Sequence, residues 1–249
     1  MGFNKEFIIN NKNIAIKNLE NYLNNCIESN TEHQKKANLL SFWIQDYVRY
    51  IEQEETFNSY LLTDYKYGDV IKANLGFNVG NEEGGLHYCI VMDKYNAKQY
   101  STLTVIPLTS VKTTTKIRKT SVFLGDEIRL KIHEKANKIL DSIDKEKAIS
   151  YQNKVIEINK LNNYNLINDI TEDEKRAIVD CKNKIEIIEK ILNEAEQMKK
   201  GSIALVNQIT TISKQRIYNP KNDLDILHGI TISENKMQLI KDKVQKLFL

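Results

Sequence analysis

Between Asn13 and Ile27 the apolar residues Ile16, Leu19, Leu23 and Cys26 recur at steps of three and four, the spacing of one buried helical face. A second helix is predicted from Thr31, whose spacing to Gln34 fits a capping box, with Leu40, Trp43, Tyr47 and Ile51 turned inward. Together they read as a helical hairpin. Past Phe57 the period changes: Gly68 to Asn74 alternates like a strand, Cys89 to Met92 is a short apolar strand, and Thr102 to Leu108 is another. The β character continues through Ser121 to Leu124 and stops at Gly125.

From Asp126 to Lys160 the positions of Ile128, Ile132, Ile139, Ile143 and Ile149 predict a long helical stretch, followed by a polar, bent turn over Leu161 to Asp169. A new helix opens at Thr171, where Glu174 completes a capping box, and runs to Lys200. Its residues Ile178, Cys181, Ile185, Ile188, Leu192 and Ala195 alternate steps of three and four, the mark of a coiled-coil seam. This segment therefore reads as an inserted helical hairpin whose arms, at the helical rise per residue, would each project roughly 40 to 50 Å. Gly201 ends it, Ser202 to Ile209 returns to strand, and Ser233 to Phe248 closes as an amphipathic helix through Met237, Ile240, Val244 and Leu247. The expected organisation is an N-terminal helical hairpin over 1–60, a β core with its C-terminal helix over 61–125 and 201–249, and the inserted hairpin over 126–200. Neither hairpin buries more than one seam alone, so Ile16, Leu19, Leu23, Leu40, Trp43 and Tyr47 are expected to pack on the insertion's helices as a bundle. A dimer contact, or an insertion standing free, is the other way to arrange these faces.

Composition adds bounds. At 249 residues and 41% hydrophobic, the chain is long enough for one large core or two small ones. The net charge of +3 says little about partners, so the distribution of charge matters more. No apolar run reaches about 18 residues, no apolar leader follows Met1, and residue 6 is not the Ser or Thr of a myristoylation signal. The expectation is a soluble, cytoplasmic protein without a membrane partner. Cys26, Cys89 and Cys181 are odd in number, far apart and set in apolar patterns, which suggests reduced core thiols rather than a disulfide framework or a zinc site.

One stretch stands out chemically. GNEEGGLHYCIVM, Gly80 to Met92, is a polar, glycine-broken loop carrying Glu82 and Glu83 that runs through His87 into an apolar strand. With the insertion set aside, GDVIKANLGFNVGNEEGGLHYCIVM (Gly68 to Met92), TLTVIPLTS (Thr102 to Ser110) and GSIALVNQITTISKQRI (Gly201 to Ile217) resemble, in this order, the MazF/PemK toxins, the mRNA interferases of type II toxin–antitoxin systems. The resemblance covers the β core and the C-terminal helix and neither helical addition.

That resemblance implies an α+β fold built on an SH3-like β-barrel of the MazF/PemK/CcdB type, elaborated by the N-terminal hairpin and the coiled-coil insertion. It implies a homodimer, restrained by a cognate antitoxin protein, that cuts single-stranded RNA such as mRNA without a metal ion or other cofactor. In such a cut the ribose 2′-OH attacks the adjacent phosphate and leaves 2′,3′-cyclic phosphate and 5′-OH ends. The reaction asks for a base near the 2′-OH, an acid near the leaving oxygen, and donors for the charge growing on the phosphate. Matched position by position, the family's loop acid, its catalytic arginine and its strand-end threonine fall on Glu82, His87 and Thr109. His87 and Tyr88 depart from the common Arg and Pro. A histidine titrates near pH 6.5 and moves a proton outright, where an arginine stays charged. Thr109 would bind the scissile phosphate, with Ser110 as a second donor.

Without the resemblance these residues have plainer readings: a strand-flanking histidine as a surface or satisfied core residue, Glu82 and Glu83 as a solvated loop, Thr109 as a strand end. After Thr109 the segment SVKTTTKIRKT sets Lys112, Lys116, Arg118 and Lys119 among hydroxyls with no acid, which suits an RNA phosphate backbone as well as a solvated hairpin. Arg216 reads as an ion pair or dimer contact. His33, His133 and His228 lack partners in the sequence. The rival function is a non-catalytic toxin or interaction module on the same fold, either a CcdB-like gyrase poison or a helix-mediated protein binder.

Overall fold

The computed structural model describes residues 4–111, 116–161, 169–198 and 201–249. The chain divides into two compact units: Met1–Asn58 with Asn74–Leu86, and Ser59–Ala73 with His87–Leu249.

The first unit contains α1 (Lys5–Ile27) and α2 (Thr31–Glu52). Each begins on an asparagine cap, Asn4 accepting from the Glu6 amide and Asn30 from the amides of Glu32 and His33. Asn30, not Thr31, therefore caps α2. Gln34, expected in a capping box, instead donates to the carbonyls of Ile27 and Ser29 and ties the hairpin turn. Small Cys26 and Ala37 are buried near that turn. Ile16, Tyr47 and Ile51 are 58%, 52% and 51% exposed, so the inward packing expected for them is overturned. Periodicity showed which residues share a face but not whether that face is covered.

The second unit is built on β1 (Val70–Asn74) and β2 (Leu86–Val91), except for their end residues Asn74 and Leu86, with β3 (Thr102–Ser110) and β4 (Val122–Gly125), followed by α3 (Glu127–Asp141), α4 (Lys145–Leu161) and α5 (Glu172–Gln197). It ends with β5 (Ser202–Ala204), β6 (Thr210–Ser213), β7 (Ile217–Asn219) and α6 (Glu234–Phe248). The strand order is β4-β5-β3-β2-β1-β7, with β6 also pairing β3. Helices and this antiparallel sheet make the fold α+β. Among the described residues no pairing joins β4 to β7, so the sheet is not closed.

The nine-residue β3 organises the sheet. It pairs β2 at Val105–Pro107, β6 at Thr102–Val105 and β5 at Leu108–Ser110. The single strand expected over Ser202 to Ile209 is thus two strands following β3 in succession, with the 3₁₀ turn Val206–Gln208 between them. Both faces of the central strands are buried. Val70, Ile90, Ile106 and Leu108 join one apolar cluster, and the alternate residues Ile71, Cys89, Val91 and Leu103 are equally inaccessible.

The insertion is rooted in that cluster, through Ile128, Ile132 and Ala136 of α3 and Ile191, Ala195 and Met198 at the end of α5. Its first arm is two helices rather than one. Asp144 accepts from the Lys147 amide and caps α4, a start signal inside what periodicity reads as a continuous run. The Thr171–Glu174 capping box forms as expected. The seam differs at two positions, where Lys184 and Ile191 turn inward while Ile185 and Leu192 are exposed. Lys184 lays its stem in the seam and carries its ammonium to the Ser142 carbonyl at the end of α3 and to Asp180. The turn expected over Leu161 to Asp169 lies largely outside the described residues.

Candidate active site

The glycine loop before β2 is held by its own backbone. Leu75 N donates to Gly85 O at 2.7 Å and Gly85 N to Gly76 O at 2.6 Å, while Asn78 Nδ2 reaches the Glu83 carbonyl at 2.6 Å. A Cβ on Gly84 would meet Gly76 O at 2.6 Å, so only glycine allows the two sides this close. Gly85 adopts φ +85°, the left-handed region that turns the chain into β2. Glu82 lies in this loop, exposed, its Oε2 accepting from Val79 N at 3.4 Å.

His87 is the second residue of β2, half-buried, with Nδ1 3.0 Å from the Leu108 carbonyl oxygen. A carbonyl only accepts, so Nδ1 carries the hydrogen, and in the neutral ring Nε2 is then the basic nitrogen. The β2–β3 pairing runs from Val91 opposite Val105 to Cys89 opposite Pro107, and just beyond it the His87 ring bonds the carbonyl of Leu108, the residue before Thr109, which is half-buried and pairs Ile203 on the other edge. The structure thus ties His87 to the residue next to Thr109. Glu82 belongs to the first unit and these two to the second.

Residues 66–166 match the model of the PemK-like, MazF-like toxins of type II toxin–antitoxin systems. Over these residues the chain is similar to the PemK-like and MazF-like toxins. No curated protein matches the chain. The matched residues hold the glycine loop, His87 and Thr109, and they run on through α3 and α4. Residues 201–217, part of the same resemblance in the sequence, lie beyond them.

The departure at Tyr88 from the proline common in that family has a structural counterpart. The Tyr88 hydroxyl donates to Glu194 of α5, whose Oε1 also pairs Lys72 Nζ at 2.7 Å, and the ammonium sits 5.0 Å from the Tyr88 ring centre. Burial first, then the Glu194 hydrogen bond, pushes the Tyr88 hydroxyl well above its ordinary value, so it stays a proton donor. This side-chain cluster, which sequence reading missed, bolts the insertion to the strand that carries His87. Cys89 is fully buried and burial pushes its thiol up to about 12, while the charge of Arg216 pulls the other way. Arg216 therefore lies within electrostatic reach of β2.

Ser110 is half-buried opposite Ser202. Lys116, Arg118 and Lys119 are exposed, and the Lys119 carbonyl accepts from Lys243 of α6. Lys112 lies outside the described residues. Among the described residues no cluster of His, Cys, Asp and Glu is placed to hold a metal ion, and no helix is long and apolar enough to cross a membrane.

Proposed function

We propose that this chain is a cytoplasmic toxin of a type II system that cleaves single-stranded RNA without a metal ion, as a homodimer held in check by a cognate antitoxin. Its core over 61–125 and 201–249 is a partly open SH3-like barrel. It carries the hairpin over 1–60 and the insertion over 126–200. Support for the barrel comes from the two buried faces of the central strands and from β5 and β6 following one edge of β3.

The observation that carries the activity is the His87 ring, fixed through Nδ1 by the carbonyl of Leu108, the residue before Thr109. A neutral imidazole so held presents Nε2 as a base for the ribose 2′-OH. The Thr109 hydroxyl, with Ser110 beside it, donates to the phosphate as charge grows there. The leaving 5′-oxygen recovers its proton from the imidazolium formed in the first step. Glu82, carried on the glycine loop, contacts the substrate strand, while Lys112, Lys116, Arg118 and Lys119 attract its phosphates.

The test is incubation of the purified chain with a long RNA in EDTA, followed by analysis of the ends. Cleavage leaving 2′,3′-cyclic phosphate and 5′-OH ends is expected. Intact RNA, with growth still arrested on expression, would favour the non-catalytic toxin instead.

A further inference from the structure

Within the first unit, α2 and the glycine loop line an open cavity of about 340 Å³. Among the residues that line it are the aromatics Phe42, Trp43 and Phe77, the acids Asp46 and Glu82, and Asn78. Asp46 is fixed at both oxygens, Oδ1 accepting from Arg49 Nη2 at 2.7 Å and Oδ2 from Asn74 Nδ2 at 3.0 Å. The Asn78 nitrogen is engaged by the carbonyls of Glu83 and Leu75, so the amide's other function is its acceptor oxygen.

These groups select a ligand by chemistry. Three aromatic rings suit a flat π-system, and base–aromatic stacking is how single-stranded nucleic acid is commonly held. The Glu82 carboxylate and the Asn78 amide oxygen ask for hydrogen-bond donors, and Asp46, though ion-paired with Arg49, keeps acceptor lone pairs on both oxygens. Among the bases, guanine offers the richest donor edge, with N1–H beside the N2 amino group, and a carboxylate accepts both. Uracil offers one donor and two carbonyl oxygens, which the carboxylates would oppose.

We propose that this cavity receives one unpaired base of the RNA, guanine in preference to the others, and gives the cleavage its sequence preference. The inference rests on the RNA-cleaving reading above and adds the recognition element. Phe42, Trp43 and Asp46 come from α2, outside the matched residues 66–166, so the preference is a contribution of the N-terminal extension.

Trp43 is the only tryptophan of the chain, so its fluorescence reports on the cavity directly. The full chain is titrated with two single-stranded deoxyhexamers, one all thymidine and one with a single deoxyguanosine, neither of which has a 2′-OH to be cut. The deoxyguanosine hexamer is expected to quench Trp43 saturably at a concentration about tenfold lower than the thymidine hexamer. Asp46→Asn should bring the two within about threefold, and Phe42→Ala should weaken both about tenfold. Glu82→Gln replaces Asp46→Asn if that variant fails to fold by circular dichroism. Equal half-saturation in the wild type, no quenching, or a preference unchanged by loss of the carboxylate overturns the proposal. A chain that cuts RNA without distinguishing the hexamers refutes the base pocket alone. One that neither cuts RNA nor binds either hexamer refutes both readings.

Discussion

A single backbone oxygen fixes the His87 ring. With Nδ1 committed to the Leu108 carbonyl, the ring is oriented and its basic nitrogen is determined, the same service a carboxylate performs for a catalytic histidine elsewhere. His87→Ala should lower the cleavage rate roughly a hundred- to ten-thousand-fold while circular dichroism and melting temperature stay near wild type. His87→Arg should retain part of the rate, because a guanidinium still offsets charge on the phosphate. Wild-type cleavage by a folded Ala variant would remove His87 from the reaction. The sequence brought this residue forward only through its place after GG in a familiar motif. The hydrogen bond that fixes its tautomer depends on a register between strands 21 residues apart, which no local pattern encodes.

At the scale of elements, α5 joins two different kinds of polar contact. Near its start the buried Glu174 carboxylate accepts from Ser150 and Thr171 and pairs Lys154, and these hydrogen bonds, Ser150 first, hold it down to about 2 from its ordinary 4.5. A carboxylate with a depressed folded value contributes stability that is complete above about pH 4.5 and is lost as pH falls toward 2. The urea midpoint should therefore fall across this window, and Glu174→Gln should lower it at pH 7 and flatten its acid limb. An unchanged acid limb in the variant would mean other carboxylates carry the effect. At its far end, Glu194 and Lys72 pair with side chains only 14% and 13% exposed, under the Tyr88 ring. Glu194→Ala leaves the Lys72 ammonium with Gln197 Oε1 but no counter-charge, removes the acceptor of the Tyr88 hydroxyl, and should cost about 3 kcal/mol by urea denaturation, more than Glu194→Gln, which still accepts from Tyr88. Equal losses would show that the hydroxyl bond contributes nothing. The capping box at Thr171 was legible because both its residues lie within one turn. The inward turn of Lys184 was not, because a lysine in an apolar seam is explained only by the helix end its ammonium reaches.

For the whole molecule, the two helical additions differ in what they cover. The insertion supplies Ile128, Ile132, Ile191 and Ala195 to the cluster that also buries Val70, Ile90 and Ile106 of the sheet, so it is part of the core. Sequence reading treated it as a projecting hairpin because a heptad seam looks the same whether it faces another helix or a sheet. The N-terminal hairpin instead shares a unit with the glycine loop, whose Asn74 bonds Asp46 of α2. Excising residues 127–197 with a short linker should therefore leave the sheet's apolar face bare, and each large side chain that loses its cover forfeits about 1.5–3 kcal/mol, enough in sum to abolish cooperative unfolding. Removing residues 1–58 should leave a cooperative transition, since that cluster contains no residue of the hairpin. The shortened chain should nevertheless be cut by protease between residues 75 and 85 at least several-fold faster, because the loop has lost the partners that define its unit. Mass spectrometry of timed digests locates the cuts, and thermal melts followed by circular dichroism report on the core. A cooperative melt after excision of the insertion would return it to the status of an appendage. Unchanged digestion of the loop after loss of the hairpin would separate the loop from α2, and with it the base pocket that the two are proposed to form.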